Sequence, residues 1–135
     1  MDTCLIDTKK IDMNDLIVPY PEPIRIKKKE ISEKDVEWAV CEFAVSIGWM
    51  HRKFVSPAHR SVPDRIFINK NGFIVFIEFK RPGEGPTDKQ WREIRRLRNN
   101  NAEVQVVDNV ELGKRVINFF TERYLWQGTY GEQLL

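Results

Sequence analysis

Cysteine is scarce in this sequence, as are long apolar runs and an excess of charge of either sign. The 135 residues include two cysteines and carry a formal net charge of +2. Cys4 and Cys41 cannot make a disulfide framework, and no Cys/His spacing suggests zinc, which indicates a reducing setting. No run is long enough to span a membrane, and MDTCLIDTKK lacks the basic-then-apolar order of a signal peptide. We therefore expect a cytoplasmic protein without a membrane partner.

The remaining composition is that of one globular domain. Hydrophobic residues make up 41% of the chain and charged residues 31%, enough for a sheet with helices packed on it. Near the start, IVPYPEPI has three prolines in five positions, which prevents a helix or a central strand. The predicted organisation is an extended proline-containing arm over 1–30, a folded domain over 31–125 and a tail over 126–135. In RYLWQGTY (123–130), the apolar side chains are a candidate contact surface or part of the core.

A first helix is predicted to begin after Ser32, whose side chain can form a capping box with Asp35. Gly48 is expected to end it. Four apolar residues at helical spacing are expected to face the core: Val36, Val40, Phe43 and Ile47.

The rest of the chain alternates strand and helix patterns. Asn71-Gly72 joins two apolar runs and is a strong hairpin signal, and Thr87 can cap a second helix. The predicted elements are a strand in 49–55, hairpin strands in 64–70 and 73–80, a helix over 87–98, a strand in 102–108 and a helix over 110–124. The fold class is therefore mixed α/β, a central mixed sheet flanked by helices. The helical crossover favours parallel pairing for the last strand.

Three ionisable residues interrupt the apolar hairpin: Asp64, Glu78 and Lys80. Because strand side chains alternate between faces, Glu78 and Lys80 point the same way. A two-residue loop would pair Asp64 with Phe79 and separate the acids. A three-residue loop with Gly72 in the left-handed conformation pairs Asp64 with Glu78 instead. We predict the three-residue loop or an equivalent bulge.

Two converging carboxylates repel unless a proton or a cation lies between them. Oxygen ligands suit Mg²⁺ or Mn²⁺, and the backbone carbonyl of Phe79 is a third candidate ligand. Lys80 would orient or deprotonate the attacking water and offset charge on a phosphate. The simpler interpretation is an ordinary Glu78–Lys80 charge pair with Asp64 capping a turn.

The spacing of these residues resembles the PD-(D/E)-x-K nuclease superfamily, with VPDR (62–65) followed by FIEFK (76–80). Within it, HRSVPDRIF…FIEFKRPGEGPTDKQ is similar to the virus-type replication-repair nuclease group, VRR-NUC. The similarity covers roughly residues 32–120 and implies a restriction-endonuclease-like core of order αβββαβ(α). Ser61 departs from the group's usual glycine, and would strain the loop if the position requires a positive φ.

The resemblance implies roles for five side chains. Asp64 and Glu78 match the metal-binding acids, Lys80 the catalytic lysine and Gln90 the motif glutamine. Related nucleases also use a glutamate on the first helix. Glu37, at the edge of the apolar stripe, is preferred as a site residue that reaches the metal directly or through water. Glu33 is the alternative.

Gln90 has a second interpretation that the residues alone provide. Thr87-x-x-Gln90 is a capping box, so its amide can bond back to the helix start. The catalytic role and the capping role are compatible.

Basic residues near the motif are candidates for contacts with nucleic-acid phosphates: Arg52, Lys53, Arg60, Arg65 and Lys89. The resemblance implies a structure-specific endonuclease acting on branched DNA such as Holliday junctions, as a homodimer and without a nucleotide cofactor. The alternatives are a non-specific DNA nuclease and a non-catalytic nucleic-acid-binding module that retains the fold.

Overall fold

The computed structural model describes the backbone of residues 28–131 and the side chains of residues 28–123. Helices and strands follow the predicted order: α1 (Glu33–Ser46), β1 (Met50–Lys53), β2 (Arg65–Ile68), β3 (Ile74–Phe79), α2 (Asp88–Asn99), β4 (Glu103–Val107) and α3 (Val110–Gly131). The predicted α/β class is confirmed, with a mixed sheet flanked by helices.

Reciprocal capping boxes fix where α1 and α2 begin. At α1, the Ser32 hydroxyl accepts from the backbone N–H of Asp35, whose carboxylate accepts from the N–H of Ser32. At α2, Thr87 and Gln90 make the same exchange. Each box satisfies backbone donors that have no partner inside the helix. Both helix starts are therefore set by local sequence, as predicted.

The sheet has strand order β1-β2-β3-β4, with antiparallel pairs β1–β2 and β2–β3 and a parallel pair β3–β4. In the hairpin, Arg65 lies opposite Ile77, and the backbone N–H of Asn69 donates to the carbonyl of Phe73 over 3.0 Å. Gly72 has a φ of 78°, the left-handed conformation that glycine adopts without a Cβ clash. This is the register of the predicted three-residue loop.

The main core lies between one face of the sheet and the helices α1 and α3. Strand residues at odd positions supply it, as Phe67, Val75, Ile77 and Phe79 are fully buried against apolar residues of both helices. Gly113 of α3 lies so close to Val40 of α1 that a Cβ there would overlap it. Even-numbered residues of β3 point to the opposite face, where α2 packs and where Glu78 and Gln90 meet.

The length of α3 and the exposure of Ile47 differ from the predictions. Helix α3 continues to Gly131, beyond the predicted end at Tyr124, so residues 126–131 are helical and not a separate tail. No proline interrupts 110–131, and a glycine inside a helix costs only about 1 kcal/mol. Ile47, predicted to face the core, caps α1 and is 38% exposed, because α1 ends at Ser46.

Other predictions concern residues outside the described part. The proline-containing arm falls almost wholly within residues 1–27, and the contact surface in RYLWQGTY depends on side chains beyond residue 123. Within residues 28–131, no helix is long and apolar enough to cross a membrane.

Candidate active site

Two hydrogen bonds from backbone N–H groups hold Asp64 between the ends of β1 and β3. Its carbonyl accepts from the N–H of Phe54 over 2.9 Å, and its Oδ2 accepts from the N–H of Phe79 over 2.8 Å. One step beyond the Arg65–Ile77 pair, the antiparallel register sets Asp64 opposite Glu78. Cross-strand partners share a face of the sheet, so both carboxyl groups lie on the α2 face.

The loop that leads into Asp64 has ordinary backbone geometry. Among the described residues other than glycine, only Asn101 has a positive φ. Ser61 therefore needs no left-handed conformation, and a serine in place of the family's usual glycine does not strain this loop. Pro63, next to Asp64, is fully buried and anchors the loop on the fold.

Glu78 is the centre of a polar cluster in an apolar sheet. Its side chain is 1% exposed, and its Oε1 accepts from Lys80 Nζ at 2.9 Å and from Gln90 Nε2 at 2.5 Å. In the described part of the chain, both of these contacts fall on Oε1, which leaves Oε2 available as a ligand. A buried carboxylate without partners would cost several kcal/mol, so Lys80 and Gln90 make its burial possible.

The two acids resist ionisation. Burial raises the pKa of Glu78 to about 7, more than the hydrogen bond from Lys80 lowers it, and the Asp64 charge raises it further. Burial also raises the pKa of Asp64, although the Phe79 N–H opposes this shift. Neighbouring carboxyl groups with raised pKa values favour either a proton or a cation between them.

Lys80 is shifted toward its charged form. Burial alone would lower its pKa, but the hydrogen bond and charge of Glu78, together with the charges of Glu33 and Asp64, outweigh that effect and raise it. The two partners of the pair thus shift in the same direction, because Glu78 is more deeply buried than Lys80. Lys80 is therefore a fixed ammonium donor at neutral pH and not a ready proton acceptor.

The side chain of Gln90 makes one contact with the start of α2 and another with Glu78. Its Oε1 accepts from the backbone N–H of Thr87 over 2.9 Å, which completes the capping box, and its Nε2 donates to Glu78. The amide thereby connects the start of α2 to the acid on β3.

Glu37 lies in a different environment from the one predicted. Its Oε1 is 2.5 Å from Nε of Arg65, whose NH1 group is 3.1 Å from Nδ1 of His51. Because Arg65 follows Asp64 along the strand, its side chain points to the opposite face of the sheet. Glu37 is thus bonded to a residue on the α1 face, although its charge still raises the pKa of Asp64.

Glu33, the other acid considered on this helix, is electrostatically linked to the cluster. Its charge raises the pKa of both Glu78 and Lys80. Glu33 lies in the first turn of α1, where the helix dipole favours an acid. Because that alone explains a glutamate at this position, the sequence did not indicate its interaction with Glu78 and Lys80.

The predicted phosphate-binding residues separate into groups. Arg60 and Lys89 line one cavity on the α2 side of the molecule, with a volume of about 290 Å³. Lys53 and Arg65 line another, of about 610 Å³, beside α1. Arg52 donates to the carbonyl of His51 and is exposed. Arg65, already paired with Glu37, is the least available of the five for a phosphate.

The donor set fits a divalent cation that prefers oxygen. Within the described residues, no group of three or more Asp, Glu, His or Cys side chains could hold a metal ion. The candidate ligands are therefore two carboxylates and the Phe79 carbonyl, which points to the same strand edge as the N–H that bonds Asp64. A few protein oxygens completed by water suit Mg²⁺-like ions.

Comparisons with known proteins show similarity to a nuclease and to a nuclease domain. The chain is 43% identical over 82 residues to "Putative nuclease p44" of Acyrthosiphon pisum secondary endosymbiont phage 1. The aligned region covers 61% of this chain and 88% of that protein. A solved structure described as "VRR_NUC domain" matches with a TM-score of 0.60 and 29% identity, over 64% of this chain and 94% of the other. No protein-family model matches the chain.

Proposed function

The chain belongs to the VRR-NUC family of nucleases, and from that premise we propose that it is a metal-dependent endonuclease that cleaves branched DNA. The observation that carries the proposal is the pairing of Asp64 and Glu78 on one face of the sheet, with Lys80 bonded to Glu78. Two acids with raised pKa values and an adjacent ammonium group form the charge pattern of a phosphodiester hydrolase.

The proposed metal ligands are the carboxylates of Asp64 and Glu78 and the carbonyl of Phe79, with Mg²⁺ or Mn²⁺ as the ion. When bound, the ion supplies Lewis-acid polarisation of a phosphate oxygen and neutralises the two carboxylates. Asp64 is oriented for this role by the Phe79 N–H at its Oδ2, and Glu78 by its two donors at Oε1.

Lys80 and Gln90 are proposed to have different roles in the reaction. The Lys80 ammonium, kept charged by Glu78, orients the attacking water and stabilises negative charge that builds on the phosphate. Gln90 fixes the rotamer of Glu78 from the rigid start of α2. We assign Lys80 a catalytic role and Gln90 a positioning role.

The acid from α1 has two candidates. Glu37 remains the proposal from the sequence, acting through water, and its charge affects Asp64. Glu33 is supported by its electrostatic effect on both Glu78 and Lys80, and it makes no ion pair elsewhere among the described residues.

Branched DNA, including Holliday junctions, is the proposed substrate, and a homodimer would supply one active site for each of two symmetric strands. The folded domain is proposed to begin near residue 31 and the arm before it to be separate. A non-specific DNA nuclease and a non-catalytic binding module are the competing functions. Cleavage of linear substrates at the same rate would favour the first, and binding without cleavage the second.

The decisive assay compares four-way junctions, flaps, linear duplex and single strands with Mg²⁺, Mn²⁺ or EDTA. Wild type and Lys80→Ala are tested side by side, with Lys114→Ala on α3 as a matched loss of one lysine. We expect metal-dependent cleavage of branched substrates, lost by at least about 100-fold in Lys80→Ala alone. Cleavage that persists in EDTA, or in pure Lys80→Ala protein, would overturn the proposed chemistry.

A further inference from the structure

A basic groove lies between α2 and the loop before Asp64. Five of the residues that line it are charged: Arg60 from the loop and Lys89, Arg92, Glu93 and Arg96 from α2. Four of these five are cations and one is an acid. Its volume of about 290 Å³ is open to solvent and lined mainly by charged and polar side chains, which does not suit an apolar ligand.

The cations on α2 form a row. Lys89, Arg92 and Arg96 follow one another at spacings of three and four residues, which places them along one side of the helix. The acid in the groove is Glu93, 3.4 Å from Arg96 NH1, but the Arg96 side chain is 69% exposed and retains other donors. Surface ion pairs of this kind contribute about 0–1 kcal/mol, so a phosphate can compete for this guanidinium.

The groove adjoins the active site at both of its walls. Lys89 precedes Gln90, whose amide contacts Glu78, and Arg60 lies in the loop that ends at Asp64. From Lys89 to Arg96 the helix rises about 10 Å, at about 1.5 Å per residue. A row of that length can contact more than one phosphate of a DNA strand.

From this arrangement we infer that the groove binds the phosphate backbone of a duplex DNA arm on one side of the scissile phosphate. The inference rests on the proposed function and adds Arg92 and Arg96 to the DNA-binding residues. It also assigns their role: they contact phosphates and leave base sequence unread, because no base-specific partner is needed to satisfy them.

The test measures binding in EDTA, where cleavage is absent, as a function of salt concentration. The probes are a fluorescently labelled linear duplex and a single strand of equal length. The variant is Arg92→Gln/Arg96→Gln, and the matched control is Arg115→Gln/Arg123→Gln on α3, which removes the same charge from another surface. Thermal unfolding of both variants confirms that each is folded.

We expect the slope of log affinity against log salt for the duplex to become shallower by about 2 in the groove variant, at about 0.9 per phosphate contact. The control should keep the wild-type slope. With Mg²⁺, the KM for DNA should rise in the groove variant and stay at the wild-type value in the control.

Three results would overturn the inference: an unchanged slope in the groove variant, an equal change in the control, or a loss confined to the single-stranded probe. Failure of the proposed function would look different. Wild-type protein would then bind DNA with the expected salt dependence but cleave no substrate with Mg²⁺ or Mn²⁺.

Discussion

Nε2 of Gln90, in the first turn of α2, donates a hydrogen bond over 2.5 Å to Oε1 of Glu78, near the end of β3. The other end of the same amide accepts from the backbone N–H of Thr87. A single side chain thus stabilises a helix start and orients a buried acid. The two effects can be separated, since glutamate at this position preserves a capping box but has no amide donor.

Gln90→Glu keeps the capping group but places another carboxyl group against Glu78, so we expect it to retain the stability of α2 only below about pH 7, where the two acids can share a proton. Its cleavage rate should fall by about 10- to 100-fold, the usual loss when a residue that orients a metal ligand is replaced. Gln90→Ala should lose both functions, with a further cost of about 1 kcal/mol in the free energy of unfolding from the missing cap. Urea unfolding and single-turnover cleavage measure the two effects.

An active Gln90→Glu enzyme would show that the contact with Glu78 has no part in the reaction. If Gln90→Glu were as unstable as Gln90→Ala below about pH 7 as well, the assignment of the capping role would be wrong instead.

The stability of the metal-free protein should depend on pH through Glu78. Its pKa is raised from 4.5 to about 7 in the folded state, so the folded protein binds a proton that the unfolded chain releases. This contribution is fully present below about pH 4.5 and is lost as the pH rises through 7; it amounts to at most about 3 kcal/mol. Asp64, whose pKa is also raised, acts in the same direction.

Urea unfolding in EDTA across this range measures the effect, and Glu78→Gln serves as the comparison because it resembles the protonated acid. We expect the wild-type free energy of unfolding to fall with increasing pH and that of Glu78→Gln to fall much less. Parallel pH profiles for the two proteins would mean that Glu78 ionises as an exposed glutamate does.

The two acids of α1 should differ in what their removal changes. Glu37→Gln breaks the charge pair with Arg65. The side chain of Glu37 is 20% exposed and that of Arg65 24%, so we expect a loss of about 1 kcal/mol in the free energy of unfolding. Glu33 makes no ion pair with another residue of the described part of the chain. For Glu33→Gln we therefore expect the loss of the helix-dipole contribution alone, about 0.3–1 kcal/mol, with cleavage lowered by about 10-fold or more. Cleavage rates and urea unfolding of both variants are the measurements.

The reverse pattern would support the original preference for Glu37. It would consist of a stable but inactive Glu37→Gln and an active Glu33→Gln, and it would mean that the bond to Arg65 is exchanged for a catalytic contact when DNA binds.

The hairpin was predictable from Asn71-Gly72, but these turn residues allow both a two-residue and a three-residue loop. The three-residue loop was predicted because only its register brings the carboxyl groups of Asp64 and Glu78 together, and the structure has that register. The starts of α1 and α2 were predictable from local sequence, since each depends on two residues three positions apart.

The partners of Glu37 were not predictable in this way. A helical wheel gives the direction of a side chain relative to its own helix, but not how far the helix lies along the sheet or which competing charge it meets. Arg65 faces α1 because the hairpin register turns it there, so the ion pair depends on two elements at once. The exposure of Ile47 and the length of α3 likewise depend on packing and not on local pattern.

Whether Asp64 and Glu78 share a divalent cation can be measured by titrating Mn²⁺ into the DNA-free protein and following binding by calorimetry. Asp64→Asn and Glu78→Gln are compared with Glu122→Gln, an exposed acid on α3. We expect saturable Mn²⁺ binding in wild type and Glu122→Gln, and its loss in both site variants. Equal Mn²⁺ binding by all four proteins would show that Asp64 and Glu78 do not hold the ion.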